Sequence, residues 1–473
     1  MDNNLKWLHI SDIHYEYENY STKKMRNNLL KKIDEEVKSN NKFDFIVLTG
    51  DIAYKGSSYS TQVKKFINDL INISGIEKEN LFIVPGNHDL KRSQVRERLI
   101  ESISKSKNPL NEIENLDSGV FAELYKGQKN FWKFYDDITG KKYDKRKIHF
   151  IEKREKFNII NLNTCLLCGQ DYEEEHLSIF LNRLYDVIHN NLELEKVNIA
   201  IGHHNIDCLF IEERNKVLNN FVDEEIDMYL CGHSHKPKFS VDNNNDREFY
   251  ISMAGAGVCD EYAKATYTIG EIIDTKCTIT YYSWDNDDEV WNKENKGLGR
   301  KVKEGIVSFS IKEKLKYTNL DEKEVYIEED DFKDFIIDFH NNIGEVEIKD
   351  IPLYKENICD KFKNMKCNSA LKKQFEMFGK YFSIINDIMK NSSYLGIDKR
   401  IIIPNVICEE YNKILNQYNN GNQIVEEIVN NIYSRYKTKI KYSESKLKVY
   451  IKTLVFWLIN ECDIFDDNKE NDE

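Results

Sequence analysis

Three short apolar segments in the first ninety residues, each running into a small polar turn, constrain this chain more than any other feature. Leu5-Lys6-Trp7-Leu8-His9-Ile10, Phe43-Asp44-Phe45-Ile46-Val47-Leu48 and Leu81-Phe82-Ile83-Val84 read as strands, the last stopping at Pro85. Residues 23–39 and 60–73 between them carry apolar side chains at helical spacing. Strands joined through helices are predicted to lie in a parallel sheet buried on both faces. Further strands are predicted at 148–152, 157–162, 197–201, 228–231 and 248–251, with 265–272 and 277–284 as an antiparallel pair ending the sheet. Residues 91–147, helical and aromatic, read as an insert over the sheet edge.

The chain has 473 residues, more than one ordinary domain holds. Its character changes beyond residue 301. A short β-like piece at 305–311 leads into the acidic run Glu328-Glu329-Asp330-Asp331. Helical periodicity then covers 332–341, 368–390, 406–418, 423–436 and 443–462, before a polar, acidic end at 466–473. The predicted division is an α/β domain at 1–300, a connecting segment at 301–325 and a mostly helical C-terminal domain at 326–473. That last domain is read as an interaction module for a protein partner, an ATPase or a second copy of this chain.

No apolar run reaches the roughly 18 residues of a membrane span, and no charged segment followed by an apolar one opens the chain. A cytoplasmic protein with no membrane partner is expected. The ten cysteines then stay reduced. A net charge of −13 argues against a basic coat; a local patch or bound cations can still supply the field that attracts nucleic acid.

Five short segments carry the chemistry, each just after a predicted strand. They are Ser11-Asp12-Ile13-His14, Gly50-Asp51, Gly86-Asn87-His88-Asp89, Gly202-His203-His204 and Gly232-His233-Ser234-His235. Ligands gather beyond the carboxyl ends of strands in open α/β sheets, so five such loops can meet at one point. Carboxylate, imidazole and amide oxygen together suit Mn²⁺, Zn²⁺ and Fe. Two dications held close together need an anionic bridge, and Asp51 is the natural one. Asp12, His14 and His235 would complete one ion, and Asn87, His203 and His233 the other. The glycine before each ligand is expected to let the backbone turn tightly.

In order, spacing and context these residues resemble the calcineurin-like metallophosphoesterase superfamily, in its phosphodiesterase and nuclease branch. That family's pattern is D-x-H, G-D, G-N-H-[DE], G-H or H-H, then G-H-x-H, and every element stands here between Leu8 and Lys236. The resemblance implies a four-layer αββα sandwich and two divalent metal ions, Mn²⁺ first, with Fe, Zn or Mg as alternatives. It implies in-line attack by a metal-bridging hydroxide on phosphorus. His88 would protonate the departing oxygen and Asp89 would orient His88. His203 matches the family position better than its neighbour His204, which would contact substrate or pack beneath it.

Other residues receive plainer readings. His9, His149, His176, His189 and His340 read as surface or hydrogen-bonded residues. The C-x-x-C spacing of Cys165 and Cys168 could suggest a zinc or redox site, but it has no second copy and core or loop thiols are favoured; Cys231 reads as buried. Phe131, Trp132, Phe134 and Tyr135 could stack bases near the site, but their spacing equally suits the buried face of a helix, and core is favoured. Lys91, Arg92, Arg96 and Arg98 could meet a phosphate backbone.

The motifs leave the substrate open. Phosphoprotein phosphatases of the family carry G-D-x-x-D-R-G; here Asp51 is followed by Ile52-Ala53-Tyr54-Lys55-Gly56. The leading expectation is a phosphodiesterase acting on nucleic acid or a nucleotide. Within it a nuclease is favoured, because the helical C-terminal region suggests an assembly; residues 448–465 also resemble the C-terminal helices of effector subunits in multi-component bacterial defence systems. The alternatives are a cyclic-nucleotide or dinucleotide phosphodiesterase in signalling, and a non-catalytic metal-binding scaffold. No P-loop is present, so any ATPase function would come from a partner.

Overall fold

The computed structural model describes residues 4–311 apart from 17–18, 40–41, 57, 143, 145–146, 170–173, 190, 194–195, 245–246, 260–262, 295 and 297. Beyond these it describes 327–343, 369–390, 402–414, 417 and 421–461. The chain forms two compact units, Met1–Lys316 and Tyr317–Glu473.

The first unit is built on two sheets. One runs β12 (Val290–Lys293), β11 (Lys276–Asp285), β10 (Thr266–Ile273), β1 (Leu5–Ile10), β2 (Phe45–Leu48), β3 (Leu81–Ile83), with β13 (Ile306–Ser310) also on β11. The other runs β4 (Phe150–Lys153), β5 (Phe157–Asn161), β6 (Val197–Ile201), β7 (Met228–Cys231), β9 (Arg247–Met253), β8 (Lys238–Asn244). Within them β1, β2 and β3 are parallel, as are β5, β6, β7 and β9.

Side chains alternate across each strand, and in β1, β2, β3, β5, β6 and β7 both faces are buried. Trp7, Phe45, Val47 and Phe82 meet Phe157, Ile159, Ile199 and Leu230 between the sheets. The Phe45 and Phe157 rings stack there at 4.5 Å. Each such side chain, fully buried, contributes about 1.5–3 kcal/mol. The opposite face of β1 and β2 (Leu8, Ile46, Leu48) packs on Leu29, Ile33, Val63 and Leu70 of helices Tyr20–Lys38 and Thr61–Ser74. Ile160, Ala200 and Tyr229 pack on Leu184, Val217 and Phe221 of helices Leu181–Ile188 and Ile211–Asp223. The layers are therefore helix, sheet, sheet, helix.

The insert folds into helices Gln94–Ser104, Pro109–Glu114, Ser118–Lys126 and Lys129–Thr139. The last buries Phe131, Trp132, Phe134 and Tyr135 in the core beneath β1–β3.

Three expectations need correction. The pair β10 and β11 does not end the sheet, because β10 lies against β1 and β12 and β13 continue beyond β11. Residues 306–310, within the β-like piece expected at 305–311, are β13, in register with β11 from Lys276↔Ser310 to Thr280↔Ile306, so they belong to the sheet and not to a connection at 301–325. The α/β unit thus runs past residue 300. Strand β8 was not foreseen at all.

The second unit is helical. Helices Glu329–Asn342, Ser369–Gly379, Phe382–Lys390, Ile402–Ile414, Gly421–Tyr436 and Glu444–Asn460 enclose a core that includes Phe332, Phe339, Ile385, Ile428 and Tyr450. The helix expected at 368–390 breaks around Lys380, and the tail 466–473 lies outside the described residues. Among the described residues no helix is long and apolar enough to cross a membrane.

Candidate metal centre

Strands β1, β2, β3, β6 and β7 are parallel neighbours within their sheets, so their carboxyl ends carry the five loops to one side. Backbone bonds tie the loops together. Asp12 N donates to Gly50 O at 3.1 Å, His14 N to Asp51 O at 2.8 Å, and Gly232 N to His203 O at 2.9 Å.

All seven expected ligands converge. Asp12, His14, Asp51 and His235 hold their ligating atoms within 4.8 Å of one another. Asp51 Oδ2 lies 3.7 Å from His14 Nε2 on one side and 3.4 Å from His203 Nε2 on the other, the place of a bridge. Asn87 Oδ1 is 3.1 Å from His203 Nε2. His233 sits within the same reach of His203 and donates its N–H to Asp12 Oδ2 at 2.9 Å.

The donor set fits a pair of divalent ions. Buried Asp12 Oδ1 has no hydrogen-bond donor on it among the described residues, and faces His235 Nε2 at 3.4 Å. His203 can give its Nδ1 proton to Thr49 O, 2.7 Å away, which leaves Nε2 free as a ligand.

Electrostatics point the same way. Burial alone would raise Asp51, but the His203 charge, then His14 and His88, hold its carboxyl well below the usual range. Burial works against protonated His203, and the Asp51 carboxylate overcomes it, pushing His203 up to about 10. A proton on His203 and a bound cation are alternative counter-charges to the two aspartates. Burial pushes His88 down to about 4, with Asp51 opposing, so its imidazole is neutral at neutral pH until anionic phosphate comes against it.

Backbone strain gathers here. Asp12, His14, Asp51, His233 and His235 all have positive φ, between 40° and 74°. The expected role of the preceding glycines changes accordingly. Gly50 does adopt φ +91, but at Gly86 the need is space, since a Cβ would stand 2.1 Å from Asp51 Oδ1. The tight turns fall largely on the ligands themselves.

His203 and His204 have different nearest partners, although a ring nitrogen of each lies within 4.8 Å of the other and of His233. His203 faces Asp51 and Asn87, whereas His204 Nδ1 lies 2.9 Å from the Thr164 hydroxyl. Asp89 does not orient His88. Its carboxylate accepts from Ala53 N at 2.9 Å, Gly86 N at 2.9 Å, Ile52 N at 3.3 Å and Tyr59 Oη at 2.7 Å. It therefore clamps the Asp51 loop to the Gly86 turn and acts through backbone. Arg96 is buried and donates to Leu166 O at 2.8 Å, so it cannot meet a phosphate backbone. His9 and His149 are buried and bonded to Thr49 Oγ1 and Ile179 O.

Two contributors escaped the sequence. Tyr59 supplies a donor to Asp89, and Tyr54 stacks on His88 at 5.4 Å. Tyr54 lies three residues after Asp51, which is the one hint the sequence carries. His88, His233 and His235 are half-exposed while the other ligands are buried, so the centre opens on their side.

Residues 5–237 match the family model for the calcineurin-like phosphoesterase domain. The uncharacterized metallophosphoesterase-like protein YydB of Bacillus subtilis (strain 168) is 39% identical over 477 residues, covering 99% of this chain and 99% of its own. Among solved structures, a dimetal phosphatase from Danio rerio is 12% identical with a TM-score of 0.32, over 59% of this chain and 95% of that one. GAP50, the anchor in the inner membrane complex of Plasmodium, is 12% identical with a TM-score of 0.33, over 64% and 90%. Likenesses at those scores carry no further weight.

Proposed function

This chain belongs to the calcineurin-like metallophosphoesterases, a family of metal-dependent phosphoester hydrolases, and on that premise we propose that it cleaves phosphodiester bonds in nucleic acid or a nucleotide. The observation that carries the reading is the convergence of Asp12, His14, Asp51, Asn87, His203, His233 and His235 around the Asp51 carboxylate.

Two divalent ions, manganese being our assignment, would supply a lowered pKa for water and positive charge for phosphate oxygens. Asp51 and Asp12 provide the negative field that holds such ions. His203 would have to be neutral at Nε2 to hold an ion, and Thr49 O, 2.7 Å from its Nδ1, keeps its ring in place. His88, on the open side and backed by the Tyr54 ring, is positioned to give a proton or hydrogen bond to the departing oxygen. Its backbone N–H, bonded to Asp51 Oδ1 at 2.7 Å, fixes its distance from the bridge.

A diester is favoured because the G-D-x-x-D-R-G pattern is absent and the open side adds an aromatic ring and a cation. Lys55 Nζ stands 4.9 Å over the Tyr54 ring. A role in a multi-component assembly rests on the helical C-terminal unit and on residues 448–465, whose last four lie outside the described residues.

The test is hydrolysis of bis-p-nitrophenyl phosphate with Mn²⁺, beside DNA, RNA and cyclic nucleotides, with Asp51→Asn as control. Cleavage of DNA or RNA that the variant loses supports a nuclease. Turnover confined to cyclic or dinucleotides places the enzyme in signalling. No diester turnover by metal-loaded protein overturns the proposal.

A further inference from the structure

A second group of ligating side chains lies behind the phosphoester centre, and none of the chemistry above uses it. Cys165 and Cys168 follow β5, and His204 follows β6. All three are buried, with exposures of 0%, 0% and 1%. Cys165 Sγ lies 3.7 Å from His204 Nδ1, and Cys168 Sγ lies 3.7 Å from His204 Nε2. One ligating atom from each of the three falls within 4.8 Å of the others.

The group is held in place from outside. Cys168 N donates to Cys165 O at 3.2 Å, closing the C-x-x-C turn. The Arg96 guanidinium, 1% exposed, donates to the carbonyls of Leu166 at 2.8 Å and of Cys168. A guanidinium, with the Glu97 carboxylate 3.9 Å from it, is thus fixed beside two thiols. On the other side Thr164 Oγ1 accepts from His204 N at 3.2 Å and lies 2.9 Å from Nδ1.

We propose that Cys165, Cys168 and His204 bind a third metal ion, a thiophilic divalent cation such as Zn²⁺, at a site separate from the dinuclear centre.

Three physical arguments carry this. Tetrahedral zinc with bonds of about 2.3 Å to sulfur and about 2.0–2.1 Å to nitrogen sets S···N separations of roughly 3.5–3.6 Å. The 3.7 Å between Cys168 Sγ and His204 Nε2 is already close to that. The His204 ring is held as metal-bound histidines are, with Nδ1 on a polar partner and Nε2 left as the ligand. Charge also closes: two thiols lose two protons to solvent, and a dication with two thiolates and a neutral imidazole is neutral overall. That neutral complex can be buried, whereas two bare thiolates could not. Pro85 O, 3.0 Å from Cys165 Sγ, is an oxygen at hand for the fourth position.

The sulfur ligands separate this site from the phosphoester centre, whose carboxylates and amide oxygen suit harder ions. The two are nonetheless coupled by position. His204 adjoins His203, its ring lies 4.3 Å from that of His233, and Pro85 is two residues before Asn87. An ion here would clamp the loops after β3 and β6, which carry Asn87 and His203, to the loop after β5.

The experiment uses the full chain, purified reduced and zinc-loaded, with X-ray absorption at the zinc edge on unmutated protein. A sulfur shell around one zinc per chain is expected; a shell of nitrogen and oxygen alone overturns the proposal. Cobalt-substituted protein should show a thiolate-to-cobalt charge-transfer band. Asp51→Asn should retain that band, and Cys168→Ser should lose it along with one metal ion per chain. If the Cys168→Ser protein, folded by circular dichroism, keeps both band and metal count, the site is elsewhere. A Cys165–Cys168 disulfide in protein alkylated at lysis would also overturn the proposal and make the pair a redox element.

Discussion

The Nε2 atoms of His14 and His235 lie 3.1 Å apart, brought from the two sheets and separated by 221 residues of sequence. Two imidazoles in that contact can share only one proton. Two ligands of one ion, each about 2.1 Å from it, take the same spacing. Binding at this point should stabilise the fold by about 2.7 kcal/mol at a free ion concentration one hundred times Kd. Thermal melts with Mn²⁺ against a chelator should show a rise in the transition of the α/β unit. His235→Ala should lose most of that rise. Superimposable melts with and without metal would contradict the centre's assignment.

Asp89 offers a test of positioning as opposed to chemistry. Tyr59→Phe removes one of four donors and should lower stability by about 1–2 kcal/mol, with only a few-fold loss of kcat. Asp89→Ala leaves the amides of Ala53 and Gly86 without their acceptor and should cost roughly 10- to 100-fold in activity. The pH profile of any activity left should keep its shape. A changed profile would return Asp89 to direct partnership with His88.

Gly86→Ala places a methyl group 2.1 Å from Asp51 Oδ1 and 2.2 Å from Asp51 N. The bridging carboxylate must move, and a displacement of about 1 Å costs on the order of 100-fold in rate. Metal content and diester hydrolysis should fall together, while the far-ultraviolet spectrum stays near wild type.

Glu213 gives a pH dependence independent of the metal centre. It is buried, accepting from Ser178 Oγ at 2.8 Å and Ile179 N at 3.2 Å, and burial pushes its carboxyl up to about 7. The folded chain therefore holds a proton that the unfolded chain has already lost. Its contribution to stability is fullest below the unfolded value of 4.5 and is lost as pH rises through about 7. The loss is at most about 3 kcal/mol. Glu213→Gln should melt progressively higher than wild type as pH goes from about 5 to about 8. A difference that stays constant with pH would refute the assignment.

The sequence exposed the candidate ligands because each stands within a few residues of a strand end, where periodicity places it without knowledge of the fold. Asp51 and His203 could be paired in this way although 152 residues separate them. Strand β8 was hidden because Val241-Asp242-Asn243-Asn244 has the composition of a loop. It is a strand only because β9 pairs with it, from Lys238↔Met253 to Asn244↔Arg247. The role of Asp89 was misread for a related reason: its partners are backbone amides, which no residue type advertises. Arg96 looked like a surface cation, and only the packing of the insert reveals that its charge is spent on the Cys165–Cys168 turn.

Five ligands carry left-handed backbone, and that has a consequence for transplanting this chemistry. Each such residue costs on the order of 1–2 kcal/mol, so together they approach the whole net stability of an ordinary domain. The seven side chains are therefore not a portable unit. Grafted onto another sheet they would relax out of reach of one another, because what keeps them strained is the lattice of amides joining Gly50, Asp51 and His203 to their neighbours across the loops. A designer borrowing the centre would have to copy the loops' mutual hydrogen bonds first and the ligands second.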